Sequence, residues 1–182
     1  MRSNLPEPPI PRAHRSGMLS ARRHGSRDAQ STTFDDDAES GMGLKWIAEN
    51  PPKWDKAKER MISGAPEGIF TIGGHKFGEL IPGEWWRVED DEGIAGYGWM
   101  DCTWGDAEIL LVVAPGRQGA GIGSFILDQL EKEAAGRGLH YLHNLVRPTH
   151  PDRDGIAAWL GKRGFKRSHD DDLLKRPVKH RS

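Results

Sequence analysis

Apolar residues crowd together between Glu108 and Ala114 and thin out almost completely before residue 42. A segment that is apolar at nearly every position predicts a central strand covered on both faces. Beyond it, Phe125, Leu127, Leu130, Ala134 and Ala135 recur at helical spacing after Ser124, and Gly136 and Gly138 end that helix. LHYLHNLV (139–146) alternates as a second strand. The segment Asp154–Arg163 reads as a short helix that turns Ile156, Ala157, Trp159 and Leu160 inward, with Gly164 as its left-handed stop. Phe165 opens a last strand, interrupted by the acidic Asp170–Asp172.

Upstream, Pro51-Pro52 precedes WDKAKERMI, a helix whose face carries Trp54, Ala57, Lys58 and Met61. The stem of Lys58 is expected along that face with its charge outside. Gly64 and Pro66 stop it. Strands follow at Gly68–Ile72, Glu84–Val88 and Ile94–Thr103, separated by Gly-Gly, Pro-Gly and Asp-Asp-Glu-Gly turns. Tryptophans 85, 86, 99 and 104 supply much of the apolar area. This element order predicts an α+β (mixed α/β) domain over 42–178, with 179–182 as a tail.

Residues 1–41 carry LPEPPIP, then Arg12, Arg15, Arg22, Arg23 and Arg27 among serines, then Asp35, Asp36, Asp37 and Glu39. Without apolar periodicity nothing offsets the entropy of ordering them, so they are expected to be a disordered leader. Their Arg- and Ser-rich start has the composition of a transit peptide, but prolines break any amphipathic pattern; a solvated tail, or a true start at Met42, fits better.

The 182-residue chain has a formal net charge of −1, so no global field draws nucleic acid or an anionic membrane; only the Arg-rich leader has that sign locally. A mean hydropathy of −0.68 agrees with a partly unpacked chain. One cysteine, Cys102, leaves no internal disulfide and no multi-cysteine zinc site. With no apolar run near the ~20 residues of a membrane span, the expectation is a soluble cytoplasmic protein.

The chemistry concentrates in Val112-Val113-Ala114-Pro115-Gly116-Arg117-Gln118-Gly119-Ala120-Gly121-Ile122-Gly123-Ser124. A buried strand ends, the chain turns, and glycines open a helix. Free N–H groups at a helix start, with no Cβ in the way, make a site for a diphosphate. No lysine follows Gly123, so the segment is not a P-loop. Gly119, Gly121 and Gly123 are evenly spaced and no acid stands in His140–Asn144, which weighs against a dinucleotide fingerprint.

Gln118-Gly119-Ala120-Gly121-Ile122-Gly123 resembles the Gln/Arg-x-x-Gly-x-Gly/Ala signature of the GNAT acyltransferases, with Val113-Ala114-Pro115 and Arg117 in the usual place upstream. Trp159-Leu160-Gly161-Lys162-Arg163-Gly164-Phe165 is similar to the family's late helix running into Gly-Phe. The resemblance is specific over about 106–167. It implies a central mixed sheet flanked by helices, acetyl-CoA as co-substrate, an amine acceptor, no metal, and room for a homodimer. It also implies that Gln118, Gly119, Ala120, Gly121, Ile122, Gly123 and Ser124 hold the pyrophosphate. Val112 and Val113 would pair with the pantetheine, the Val113 N–H would face the thioester carbonyl, and Glu108 would serve as base.

Other candidates weigh less. Asp106 reads as a turn residue. The family's usual acid, a tyrosine, is Leu160 here, and its frequent asparagine is Arg153. His140 and His143 fall on opposite strand faces, which argues against a shared metal site; either could serve as a base near neutral pH, and each reads first as a packing residue. His150 sits in a loop able to line the acceptor site. Cys102 reads as a small buried residue of a Trp-rich strand. Trp85, Trp86 and Trp99 read as core, with one exposed member available as an acceptor wall. Two further function classes stay open: a non-catalytic acyl-CoA-binding or scaffold module of the same fold, and a nucleotide-binding α/β protein.

Overall fold

The computed structural model describes residues 43–62, 74–169 and 172–180. The leader, residues 181–182 of the tail, the Gly64/Pro66 stop and the Gly68–Ile72 strand lie outside the described residues. A seven-stranded sheet runs in the order β1-β2-β3-β4-β5-β7-β6. Its strands are β1 (Lys45–Glu49), β2 (Glu84–Asp90), β3 (Gly93–Thr103), β4 (Asp106–Val113), β5 (Tyr141–Leu145), β6 (Lys166–Arg167) and β7 (Leu173–Pro177). The helices are α1 (Lys56–Ile62), α2 (Ile122–Gly136) and α3 (Arg153–Gly161). Neighbouring strands are antiparallel except β4 and β5, which run parallel because α2 carries the chain back between them. This is the mixed α/β domain anticipated.

Period-two alternation divides β4. Ala107 and Ile109 are fully buried in the main core, with Leu111 and Val113 packed against it from the same face. That core holds Ile126, Leu127 and Leu130 of α2 and Leu160 of α3. Leu110 and Val112 point the other way, to a cluster of Trp54, Met61, Ile62, Trp85 and Tyr97. Close contact on the α2 side depends on Gly98 of β3, where a Cβ would lie 2.5 Å from Trp46 and 3.0 Å from Ile126. Trp46 stacks on Trp86 at 5.5 Å.

Several expectations are corrected. Strand β1 was not anticipated; KWIAE is a short edge strand. Lys58 does not send its charge outside. Its side chain is wholly buried, its ammonium lies 2.6 Å from Glu49 and 2.9 Å from Asp55, and it sits over the Tyr97 ring. Asp55, just before α1, accepts the Ala57 and Lys58 N–H groups at 2.8 Å and so starts the helix that proline was expected to start. The strand after Phe165 is a hairpin of β6 and β7 rather than one interrupted strand. Trp104 buries nothing: it is 99% exposed in the β3–β4 turn. Cys102 is exposed rather than buried; partial desolvation raises its thiol above the usual range, against use as a nucleophile.

Candidate active site

Strands β4 and β5 pair over three rungs only, ending at Glu108 opposite His143. The next carbonyl, of Ile109, is taken not by β5 backbone but by the side-chain amide of Asn144, at 2.7 Å. From there the strands diverge. Strand alternation then fixes where the free edge of β4 points. The Ile109 carbonyl faces β5. The Val112 carbonyl faces β3, lying 2.5 Å from where a Gly96 Cβ would be, and the Ala114 N–H donates to Ala95 of β3 at 2.9 Å. Leu111 and Val113, between these, therefore aim their backbone groups into the gap.

A cavity of about 520 Å³ fills the gap. Leu111, Val113 and Gly123 border it on the α2 side, Leu110 and Leu145 reach it from the opposite sheet face, and Asn144 closes its apex. The far wall is α3, through Ile156, Trp159, Leu160 and Arg163. The opening therefore passes through the sheet and connects its two faces.

Gln118, Gly119, Gly121, Gly123 and Ser124 form the rim at the α2 start. Gly119 and Gly121 have φ of 83° and 84°, so the loop turns where a side chain would be strained. Gly121 is the N-cap of α2, and no side chain caps the helix. The first-turn N–H groups are thus left to a ligand or solvent. A Cβ on Gly123 would sit in ordinary contact with Trp159 at 3.6 Å and Val113 at 3.7 Å, so a single methyl already fills the space beside this backbone and a larger group would enter the cavity. These features fit a bound diphosphate. Ala120 is exposed and the Ile122 side chain belongs to the core, so these two offer backbone only. Gln118 shapes the loop by accepting the Gly116 N–H at 3.0 Å. Val112 does not border this cavity; its side chain belongs with the cluster on the opposite face.

On that opposite face, Glu108 stands between Asp101 of β3 and His143 of β5 in the strand register. His143 is half-buried, beside the apex rather than in the packed core. Asp106 is the first residue of β4 rather than a turn residue and accepts from Lys175 at 2.7 Å. His140 lies before β5, against the Gly105 turn at the other end of the sheet. His150 does border the cavity, and its Nδ1 accepts the Asp152 N–H at 3.0 Å, which leaves Nε2 as the donor of the neutral ring. Leu160 is buried, with no hydroxyl to offer. Trp85 and Trp86 are core on opposite faces; Trp99 is half-buried and donates to the Pro82 carbonyl at 3.1 Å.

The cations divide in a way sequence reasoning missed. Arg117, beside the loop, is held by Asp90, with Nη1–Oδ1 at 3.2 Å. That hydrogen bond lowers the carboxyl and raises the guanidinium from their ordinary values. Arg153 pairs with Asp172. Arg163 instead stacks 3.7 Å over Trp159 and donates to Ser124 Oγ at 2.6 Å, joining the two sequence blocks across the cavity rim. No helix among the described residues is long and apolar enough to cross a membrane.

Residues 82–167 match the family model for the acetyltransferase (GNAT) domain. No curated protein matches the chain significantly. Among solved structures, the fold is similar to an IAA acetyltransferase from Bacillus cereus, with TM-score 0.56, 17% identity, 74% of this chain and 99% of that one. N-acetylglutamate synthase from Neisseria gonorrhoeae, complexed with coenzyme A and N-acetyl-glutamate, gives 0.56 at 18% identity, over 74% of this chain and 35% of that one. The ribosomal-protein-S18-alanine N-acetyltransferase from Escherichia coli gives 0.50 at 15% identity, over 76% and 96%. The chain spans about a third of the synthase and nearly all of the other two. The family match and the forked sheet agree: residues 82–167 of this chain are a GNAT acetyltransferase domain.

Proposed function

We propose that the protein transfers the acetyl group of acetyl-CoA directly to an amine, with residues 42–178 as the working domain. The observation that carries this reading is the fork itself: an uncapped glycine-rich helix start and an unpaired strand edge open onto one cavity that crosses the sheet. One element suits a diphosphate and the other an extended amide chain, and coenzyme A has both.

Acetyl-CoA supplies the activated thioester. The N–H groups from Gln118 to Ser124 hold the diphosphate, and the edge of β4 aligns the pantetheine. The Val113 N–H donates to the thioester oxygen as negative charge gathers there. Glu108 takes the proton of the acceptor ammonium, directly or through one water. The amine nitrogen bonds the carbonyl carbon and gives up its second proton to solvent, the C–S bond breaks, and the thiolate is protonated from solvent, since Leu160 has no proton to give.

Calorimetric titration of the full chain with acetyl-CoA, CoA and NAD tests the ligand, and thiol release with an amine panel tests the transfer. Binding of the CoA compounds but not NAD, with thiol release, is expected. Absence of CoA binding overturns the reading. The buried Leu160 favours one second reading, a non-catalytic acyl-CoA-binding module. Binding without thiol release for any amine is its signature.

A further inference from the structure

We infer that Arg163 is the cationic ligand of the bound diphosphate, and that Trp159 and Ser124 hold it in place. The inference rests on the coenzyme A reading above and assigns a charge within that site. A bound diphosphate needs more than backbone N–H groups and half a charge of helix dipole to offset its removal from water. The obvious cation by sequence, Arg117, has its guanidinium engaged by Asp90, with Glu92 3.8 Å away. Arg163 is different in three respects. It borders the cavity together with Gly121, Gly123 and Ser124. Its guanidinium carries five N–H donors, and the bonds to Ser124 Oγ and the Trp159 carbonyl take two. Among the described residues no carboxylate forms an ion pair with it, so its charge is not neutralised there.

The stack on Trp159 matters as much as the charge. A guanidinium whose carbon lies 3.7 Å over an indole ring, and which also donates to Ser124 Oγ and the Trp159 carbonyl, has its fork oriented before any ligand arrives, so little side-chain freedom is lost on binding. Ser124 sits in the first turn of α2, and its contact with Arg163 brings the fork to the helix start. Arg163 is a positioning and binding group, with no part in proton transfer.

The test compares CoA with dephospho-CoA, which keeps the diphosphate but lacks the 3′-phosphate, by calorimetry on the full chain at several salt concentrations. Arg163→Gln is expected to weaken both ligands alike, by about 10- to 100-fold, and to flatten the salt dependence. Arg163→Lys, which keeps charge without the planar fork, is expected to recover part of the loss. Arg117→Ala is expected to change neither ligand's affinity by more than about 3-fold. Weakening of CoA alone would assign Arg163 to the 3′-phosphate and overturn the inference. So would weakening with unchanged salt dependence, or no weakening. A wild-type protein that binds neither ligand overturns the coenzyme A reading first, before any variant is made.

Discussion

The side-chain amide of Asn144 donates to the Ile109 carbonyl at 2.7 Å, one rung past the last backbone pairing between β5 and β4. A parallel pair that stops so early leaves a buried carbonyl at the point of divergence, and the amide satisfies it without holding the strands together. The fork is therefore a built feature of the sheet. Asn144→Leu removes the donor and leaves the carbonyl of a fully buried residue unpaired. The expected cost is about 1–3 kcal/mol, read as a lower denaturation midpoint at unchanged slope. A variant as stable as the wild type would show that water replaces the amide.

Glu108 lies on the sheet face opposite α2, next to the fork, where an acceptor amine would meet the acyl group. Glu108→Gln keeps shape and hydrogen bonding but cannot take up a proton. Turnover is expected to fall about 10²- to 10⁴-fold while acetyl-CoA affinity changes little. Steady-state kinetics with calorimetry on the same preparation checks both. A pH–rate profile identical to wild type would remove Glu108 from the base role.

Gly123 is the rim position where added volume points straight into the cavity, toward Trp159, Val113 and Leu111. Its φ is not left-handed, so a side chain there meets no backbone strain. Gly123→Leu is expected to fold and to lose most acetyl-CoA binding, because the branched side chain occupies the ligand's place. Circular dichroism and titration separate the two effects. Retained affinity in the folded variant would move the ligand elsewhere.

How far the sequence reached depended on how local each signal was. The glycine loop, the α2 start and the Gly164 stop are dictated by neighbouring residues, and all are where the pattern put them. Strand β1 escaped because five residues ending at Glu49 carry too short an alternation to stand out. Missing β1 meant missing Glu49, and without that partner a lysine on an apolar helix face reads as one whose charge reaches water. Arg163 shows the same limit: its partner Ser124 is 39 residues away, and only the packing of α3 against α2 brings them together. The role of Arg117 was obscured in the opposite sense, since Asp90 comes from the far end of β2.

Lys58 and Glu49 join α1 to the edge strand by a buried ion pair, with side-chain exposures of 0% and 9%. Lys58→Met would leave the Glu49 carboxylate without its partner in a cluster of Trp54, Trp85 and Tyr97. Removing one member of such a pair costs about 3–5 kcal/mol, whereas removing both is close to neutral. Denaturant unfolding is therefore expected to show a large loss for Lys58→Met and recovery of most of it when Glu49→Gln is added. A single variant that unfolds like wild type would show that the ammonium is not buried in solution.

The same cluster sets an acid limit on stability through Asp55. Partial burial pushes its carboxyl up, but hydrogen bonds from the Lys58 N–H and ammonium, the Lys58 charge and the Ala57 N–H together bring it below its ordinary value. A carboxyl lowered in the folded state contributes stability that is present above its unfolded value of about 3.9 and is lost as pH falls through the folded value. Asp55→Asn keeps a side-chain oxygen to start α1 but has no charge to lose. Near neutral pH the wild type should be the more stable of the two, by an amount that is steady down to about pH 4 and shrinks below it. Denaturation midpoints of both proteins across that range check the sign. A difference that persists unchanged in acid would mean the aspartate acts through its cap alone and not through its charge.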